Sequence, residues 1–238
     1  MSAGTLYVVA TPIGNLEDIT LRALRVLKEV ELVACEDTRR TRALLTHFGI
    51  HVPVTSYFAH NTLTKGEQVL RALAEGKSVA LVTDAGTPGI SDPGFMLVRS
   101  AREAGVPVVP VPGSSAVVAA LSAAGVPADR FVFDGFLPVK AGRRVHRLEA
   151  LRGLGLTIVC YESPHRIRAS LEAIGQVFGP VEVVVARELT KRFEEIVRGT
   201  PHALREHLGD APRGEFTLII PVPQQTQSAP RPSPRPSP

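Results

Sequence analysis

The sequence predicts an α/β protein of two domains, with a parallel sheet in the first domain and a mixed sheet in the second. Along the first half of the chain, short apolar runs alternate with amphipathic helical patterns, which is typical of βαβ units and a parallel sheet covered on both faces. In the second half, the apolar runs at 182–187 and 194–198 are separated by a short turn, which indicates antiparallel strands. The 238 residues suffice for one large domain or two small ones.

The first half is predicted to contain a strand and a helix in regular alternation. Each strand is a short apolar run, and these runs lie at residues 5–10, 31–36, 51–57, 78–83 and 106–111. The helices have apolar residues at helical spacing and lie at residues 20–30, 38–49, 64–75 and 95–104. Thr38 is expected to cap the helix that begins there, because its hydroxyl can accept a backbone N–H of the first turn.

The pattern changes from Pro112 onward, and the second half is predicted to mix strand directions. Helices are expected at residues 114–124, 140–151, 164–177 and 201–208. Strands are expected at 131–136, 156–161, 181–187, 193–198 and 215–220, the last two forming a pair around the final helix. We place the domain boundary near 111, giving domains 1–111 and 112–222. The tail at 223–238 has six prolines in sixteen residues and should be disordered.

The positive charge of the chain is local. The formal net charge is +4, from 27 basic and 23 acidic residues, and two of the arginines lie in the tail. The first 111 residues carry eleven basic and eleven acidic side chains, whereas residues 138–168 carry seven basic and two acidic ones. If the protein binds nucleic acid, we therefore expect residues 138–168 to make the contact, and the net charge of the whole chain is not evidence for it.

The positions of the two cysteines and the lengths of the apolar runs indicate the cellular compartment of the protein. Cys35 and Cys160 each lie in an apolar run, which favours buried thiols in a reducing cytoplasm. The chain does not open with a charged-then-apolar signal segment, and its apolar runs fall short of the ~20 residues that span a membrane. We therefore expect a cytoplasmic protein without membrane contact.

Three loops are predicted to form a ligand site, because ligands of parallel sheets gather at the carboxyl ends of the strands. They lie at 11–18, 36–40 and 83–94, and the twelve residues of the third exceed the ~2–6 residues of most such loops. Its glycines and prolines, among them Gly86 and Pro88, let a ligand approach bare backbone. No dinucleotide fingerprint or P-loop follows any strand, and the scattered histidines predict no metal site.

Two segments share a pattern in which a strand leads into a helix. They are Glu36-Asp37-Thr38-Arg39-Arg40 and Glu162-Ser163-Pro164-His165-Arg166. In each, a carboxylate ends the strand, a hydroxyl residue follows, and cations occupy the first turn, where they oppose the helix dipole at about 0.3–1 kcal/mol each. These cations either attract an anionic ligand or pair with the carboxylates, and the sequence leaves both readings open.

The helix at 140–151 carries a run of cations at positions i, i+3, i+4 and i+7, namely Lys140, Arg143, Arg144 and Arg147. The opposite face, which should pack on the core, holds Ala141, Val145 and Leu148. Cations on one face without an interleaved acid repel one another. We therefore favour contact with phosphate over a merely solvated face.

Five segments together resemble the tetrapyrrole methylase superfamily, and in particular its ribosomal RNA branch. They cover residues 4–222 in order, at 10–20 (ATPIGNLEDIT), 35–39 (CEDTR), 83–94 (TDAGTPGISDPG), 112–116 (PGSSA) and 161–166 (YESPHR). Small-molecule members share the fold, but their first loop resembles G-x-G-x-G-D. Members of the RNA branch often continue into a small basic helical segment where this chain has its Pro-rich tail. RNA docking should therefore depend more on residues 138–168.

The resemblance implies a two-domain enzyme, usually a homodimer, that binds S-adenosyl-L-methionine in the cleft between its domains. It would methylate the 2′-hydroxyl of a cytidine ribose in the decoding region of 16S rRNA, within the small ribosomal subunit. Matched motif by motif, the cofactor would contact Pro12, Ile13, Gly14, Asp84, Ala85, Gly86, Pro88, Ser91, Gly113, Ser114 and Ser115.

A ribose hydroxyl is a poor nucleophile at neutral pH, so a general base within hydrogen-bond reach would assist the transfer. The candidates for this base are Glu36, Asp37, Glu162 and His165. Arg39 and Arg166 would either contact RNA phosphate or orient those carboxylates.

Two alternative functions stay open at this point. A small-molecule tetrapyrrole methylase would use the same cofactor loops but would not need the basic helix. A non-catalytic RNA-binding assembly protein would keep the basic helix and would not bind the cofactor.

Overall fold

The computed structural model describes residues 3–57, 62–92 and 94–222, and the prediction for the tail at 223–238 lies outside them. Within these residues the chain forms two α/β units, each built on a five-stranded sheet. This confirms the predicted fold class. The domain boundary near residue 111 stays a prediction; the strands of the first sheet end at Val111, and those of the second begin at Phe131.

The first sheet is parallel throughout. Its strands are β1 (Leu6–Val9), β2 (Leu32–Cys35), β3 (Val54–Ser56), β4 (Val79–Leu81) and β5 (Val108–Val111). They lie in the order β3-β2-β4-β1-β5, so β4 and β1 occupy the centre. Because every described strand of this sheet runs in the same direction, the loops after β1, β2, β4 and β5 all emerge at one edge.

Helices cover both faces of this sheet, as the sequence pattern predicts. They are α1 (Leu21–Glu29), α2 (Thr38–His47), α3 (Thr62–Ala74) and α4 (Gly94–Glu103). Residues of α1 and α2 share one core cluster with the sheet, and residues of α3 and α4 share the other. Each helix buries its apolar stripe, which is why helical spacing of apolar residues located all of them.

The cap of α2 differs from the prediction. Thr38 is the first residue of the helix, and the preceding Asp37 is the N-cap, whose carboxylate accepts the backbone N–H of Arg39 at 2.8 Å. A carboxylate satisfies an otherwise unpaired N–H and also favours the positive end of the helix dipole, which a hydroxyl does not.

The second sheet is mixed. Its strands are β6 (Phe131–Phe136), β7 (Thr157–Glu162), β8 (Val183–Arg187), β9 (Glu195–Gly199) and β10 (Phe216–Ile220). The order is β6-β7-β10-β8-β9, with β6 and β7 parallel and the other neighbours antiparallel. The predicted pairing of 193–198 with 215–220 is therefore wrong. β10 inserts between β7 and β8, because its mostly apolar sequence, FTLII, needs burial on both faces at the centre of the sheet.

Helices again lie on both faces of the second sheet. They are α5 (Ala116–Ala123), α6 (Ala141–Arg152), α7 (Ile167–Phe178) and α8 (Pro201–Leu208). The last three share a core cluster with one face, whereas α5 packs on the other face, with Val159 and Ile219. The small side chains of α5 allow this close approach to the sheet.

Cys35 and Cys160 are both free and buried, which confirms the expectation from their apolar surroundings. Burial raises the pKa of the Cys160 thiol, so this side chain stays protonated in the core. Among the helices within residues 3–57, 62–92 and 94–222, none has the length and hydropathy of a membrane span.

Candidate active site

A cleft of about 370 Å³ lies between the two units, at the edge of the first sheet where the loops after β1, β2, β4 and β5 emerge. The second unit closes the other side with the ends of β6 and β7 and the loop after β8. A cavity of this size suits a small-molecule ligand. The topological rule for parallel sheets therefore located the cleft from sequence.

Many of the residues expected to bind a cofactor or act as a base line this cleft. They are Ile13, Glu36, Asp84, Ala85, Gly86, Ser91, Ser115 and Glu162. These residues come from both units and from five separate segments of the chain. The fold thus brings together motifs that the sequence separates by more than a hundred residues.

The other expected cofactor residues, Pro12, Gly14, Pro88, Gly113 and Ser114, are not among the described residues that line the cleft. Pro12 lines a neighbouring cavity of about 380 Å³ that shares Asp84 with the cleft. Ser114 acts within the protein, since its hydroxyl donates to the carbonyl oxygen of Asp18 and its own carbonyl accepts the hydroxyl of Thr87. These contacts shape the wall of the cleft.

The loop after β4 is fixed to the loop after β1 by backbone hydrogen bonds. The N–H of Thr11 donates to the carbonyl of Gly86 at 2.9 Å, and the N–H of Gly86 donates to the carbonyl of Thr11 at 3.0 Å. Gly86 has φ = 84°, in the left-handed region that glycine adopts without strain. The wall of the cleft at this point is therefore backbone, which a ligand can approach closely.

Asp92 holds the far end of the same loop. One carboxylate oxygen accepts the N–H of Gly89 at 2.8 Å, and the other accepts the N–H of Gly94 at 2.6 Å. Ser91 has φ = 65°, a conformation that a non-glycine residue adopts only when its surroundings enforce it. The loop is thus held in one shape by its own side chains.

Asp84 connects the loop after β4 with the start of α2. Its carboxylate accepts the backbone N–H of Asp37 at 3.0 Å and forms an ion pair with Arg40 at 3.3 Å. Both carboxylate oxygens are therefore engaged within the protein. Asp84 fixes the relative position of two cleft-lining loops, whatever further contact it makes with a ligand.

Glu36 faces the cleft beside two other carboxylates. Partial burial raises the pKa of Glu36, and the negative charges of Asp84 and Asp92 raise it further. A carboxylate held near other negative charges binds a proton more readily than an isolated one. This is the property that a general base in a cleft needs.

Two of the four candidate bases, Asp37 and His165, are not among the described residues that line the cleft. Asp37 is paired with Arg39 at 2.8 Å, and hydrogen bonds from the side chain and backbone of Arg39 lower its pKa to about 2. His165 is exposed. The geometry therefore favours Glu36 and Glu162 over these residues.

Glu162 is the centre of a buried polar network. Its side chain is 0% exposed and accepts the N–H of Ser163 at 2.8 Å and the hydroxyl of Ser170 at 2.5 Å. Nε of Arg166 lies 3.3 Å from the same carboxylate, and Nη1 of Arg144 donates to Ser170 at 3.2 Å. The sequence pattern allowed these arginines either to attract an anionic ligand or to pair with nearby carboxylates. Both Arg166 and Arg39 pair with a carboxylate of their own segment.

The structure corrects the predicted face of α6. Arg144 is only 5% exposed and, besides Ser170, donates to the carbonyl of Val139 at 3.2 Å, so it cannot present its charge on the surface. It lies on the core side with Leu148, whereas Ala141 is exposed. The reason is that α7 provides a polar site for the guanidinium at Ser170, which no feature of α6 itself reveals.

The remaining cations of the predicted face differ in their pairing. Arg147 forms an ion pair and hydrogen bonds with Asp134 of β6. Lys140 and Arg143 are exposed, and no ion pair joins them to another residue that the structure describes. The surface able to contact phosphate is therefore centred on Lys140 and Arg143, which we call the α6 basic surface.

Several cleft residues were missed by sequence reasoning. They come from the second unit and are Phe136, Tyr161, Leu189 and Phe216. The loop after β8 also contacts the loop after β1, where Lys191 packs against Gly14 and forms ion pairs with Glu188 and Glu215, each at 2.9 Å. In the sequence, the four missed residues have the pattern of ordinary core positions. Their place at the cleft depends on the order of the strands in the second sheet.

Comparisons with known proteins define the class to which this fold and cleft belong. The family described as Tetrapyrrole (Corrin/Porphyrin) Methylases matches residues 5–204. A cobalt precorrin-4 methyltransferase of cobalamin biosynthesis has the same fold, with a TM-score of 0.68 at 21% identity over 91% of this chain and 94% of that one. The chain belongs to the tetrapyrrole methylase family.

Within this family, the chain is similar to proteins named Ribosomal RNA small subunit methyltransferase I. The protein of that name from Pseudomonas aeruginosa is 57% identical over 92% of this chain and 79% of its own length. The one from Escherichia coli O157:H7 is 54% identical over 92% of this chain and 78% of its own length.

Proposed function

We propose that this protein transfers a methyl group from S-adenosyl-L-methionine to the 2′-hydroxyl of a cytidine ribose in 16S rRNA of the small ribosomal subunit. The observation that carries the proposal is the 57% identity, over nearly the whole chain, to a protein named for methylation of small-subunit rRNA. The exposed α6 basic surface beside the cleft supports RNA over a small tetrapyrrole as the substrate. A homodimer, implied by the resemblance, and a cytoplasmic location, expected from the cysteines and the hydropathy, stay predictions.

The cleft fits the cofactor in its chemistry. The N-terminus of α5 opens into it at Ser115, whose side chain makes no capping bond to its own helix, so the hydroxyl and the first N–H groups are available to a carboxylate. Ile13, Ile90 and Leu189 provide apolar walls that suit an adenine ring. When bound, the cofactor would supply an activated methyl group on a positively charged sulfur.

The protein's own contribution is then to position the ribose, to exclude water and to accept a proton. Glu36 is the group best placed to accept the hydroxyl proton, because it faces the cleft with a raised pKa. Glu162 is less suited, since hydrogen bonds and the ion pair with Arg166 engage its carboxylate.

The direct test is methyl transfer from radiolabelled S-adenosyl-L-methionine to purified small subunits. We expect label in 16S rRNA at a single cytidine, with the following phosphodiester bond resistant to alkali, because alkaline cleavage requires a free 2′-hydroxyl. Label on a base would contradict the assigned atom. Transfer to a porphyrinogen but not to subunits would favour the small-molecule alternative, and absence of cofactor binding would favour the assembly protein.

The α6 basic surface leads to a separate prediction about RNA affinity. Reversing both charges, with Lys140→Glu and Arg143→Glu, should weaken binding to small subunits at low salt. The slope of log K against log salt should become shallower by about 1.5, since each lost phosphate contact removes roughly 0.7–0.9. Filter binding over a range of salt concentrations measures this slope.

A matched control for that variant is Lys28→Glu with Arg71→Glu. Both residues are exposed and lie near the carboxyl ends of α1 and α3, which lead to the edge of the first sheet opposite the cleft. The control changes the net charge equally, so its salt slope should stay near that of the wild type. Equal slopes for both variants would show that only overall charge matters and would remove the α6 basic surface from the interface.

A further inference from the structure

We propose that Phe136 stacks on the nucleobase of the nucleotide to be methylated and holds it at the mouth of the cleft. This inference rests on the proposed function and adds a positioning residue and a contact to a base. Phe136 lines the cleft and is 52% exposed, so a large apolar side chain is accessible where a substrate would enter. An exposed aromatic ring in such a cleft is suited to stacking on an unpaired base.

A bulge in β6 directs the ring toward the cleft. Phe133 lies opposite Val159 of β7, and Phe136 lies opposite Tyr161, so three steps along β6 match two along β7. Side chains of a regular strand alternate between faces, and Phe133 and Phe136 would then point to opposite sides. The extra residue instead puts both rings on the face of Tyr161, which they contact edge-on at 4.9 and 5.8 Å between centroids.

The conformation at the bulge is specific. Gly135 has φ = 62°, in the left-handed region that favours glycine, and a Cβ atom there would lie 3.3 Å from Oγ of Ser91 across the cleft. The bulge therefore approaches the loop after β4 closely. Bulges of this kind are common beside active sites, where they redirect a side chain.

The neighbours of Phe136 favour an RNA base over the adenine of the cofactor. β6 is the edge strand of the second sheet, and Phe136 at its end is half exposed, so a substrate can reach the ring from solvent. The chain continues directly into Val139, which is 73% exposed, and then into Lys140 and Arg143 of the α6 basic surface. A ribose whose phosphates contact these cations would place its base near the ring. Enzymes that modify a single nucleotide commonly hold the base between apolar and aromatic side chains.

The test compares Phe136→Ala, Phe136→Tyr and Phe131→Ala in full-length protein. Phe131 is a matched control, because it is a 40% exposed phenylalanine at the other end of β6 that does not line the cleft. We expect Phe136→Ala to lower kcat/KM for small subunits by about 5- to 160-fold, which corresponds to the ~1–3 kcal/mol lost when a stacking ring is removed. Phe136→Tyr should keep most of the activity, and Phe131→Ala should change little.

Cofactor affinity is measured in parallel by calorimetric titration with S-adenosyl-homocysteine, and should stay within about twofold of the wild type in every variant. Weaker binding of that probe by Phe136→Ala would overturn the proposal, since the ring would then belong to the cofactor site. Unchanged kcat/KM in Phe136→Ala would also overturn it. Failure of the wild type to methylate subunits would instead reject the proposed function, and the stacking role with it.

Discussion

Replacing Glu162 by leucine is expected to lower the free energy of unfolding by about 3–5 kcal/mol, the cost of removing one partner from a buried ion pair. The carboxylate is fully buried and neutralises the cationic network of Arg144 and Arg166. Without it, the buried guanidinium of Arg144 and the partly buried guanidinium of Arg166 lose the carboxylate that balances their charge. Nε of Arg144 already has no hydrogen-bond partner in the described structure.

Urea unfolding followed by circular dichroism measures this loss. Glu172→Leu is a suitable control, because Glu172 is an exposed carboxylate on α7 whose contact with Arg205 is long, at 3.9 Å. That variant should lose less than about 1 kcal/mol, as is usual for surface pairs. Adding Arg144→Met to Glu162→Leu should recover part of the stability, since it removes an uncompensated cation. A Glu162→Leu protein as stable as the wild type would show that the network carries no net stabilisation.

The stability role of Glu162 also explains a pattern that the sequence left ambiguous. Its segment and that of Glu36 have the same order of carboxylate, hydroxyl and cation. In the folded protein both glutamates line the cleft, but Glu162 is buried and pairs with Arg166, whereas Asp37 takes the pairing role beside Glu36 and binds Arg39. The same local sequence therefore serves different purposes, which depend on what packs behind each strand.

The elements of the fold were predictable because each buries an apolar stripe with a regular period. β6 and α8 match their predicted ranges, and the other helices and strands differ from theirs by a few residues at the ends. The order of strands was harder to predict. β9 and β10 follow each other in sequence but do not pair, because the sheet places the most apolar strand, β10, in its interior. The order of strands along the chain therefore does not determine which strands pair in the sheet.

The cleft was predictable mainly on the side of the first unit, because Ser115 and Glu162 are the expected residues of the second unit that line it. The rule that loops meet at the carboxyl ends of parallel strands located Glu36, Asp84 and Gly86, which come from the first unit. Phe136 could not be found in that way, since its direction depends on one extra residue in β6 whose effect appears only against β7. Arg144 was misplaced for a related reason: its partner Ser170 lies on α7, 26 residues further along.

The other large effect is expected at Glu36, where Glu36→Gln should lower kcat for methyl transfer by about 10²- to 10⁴-fold, the range of general-base contributions. Glutamine has nearly the same shape but cannot accept the proton of the hydroxyl. The affinity for S-adenosyl-homocysteine, measured by calorimetry, should change little. Asp37→Asn is the matched control, because asparagine also caps a helix and Asp37 lies outside the cleft lining; it should retain most of the activity.

The pH dependence separates a base from a merely structural residue at position 36. The pKa of Glu36 is raised in the folded protein. As the pH is lowered, this carboxylate therefore takes up a proton, and wild-type kcat begins to fall, at a higher pH than if the base had the pKa of an ordinary glutamate. The residual activity of Glu36→Gln should lack this acidic limb. The raised pKa also means that the ionised carboxylate destabilises the fold above both its folded and unfolded pKa values. Glu36→Gln should therefore unfold no more easily than the wild type at neutral pH. An acidic limb that persists unchanged in this variant would assign the proton transfer to another group.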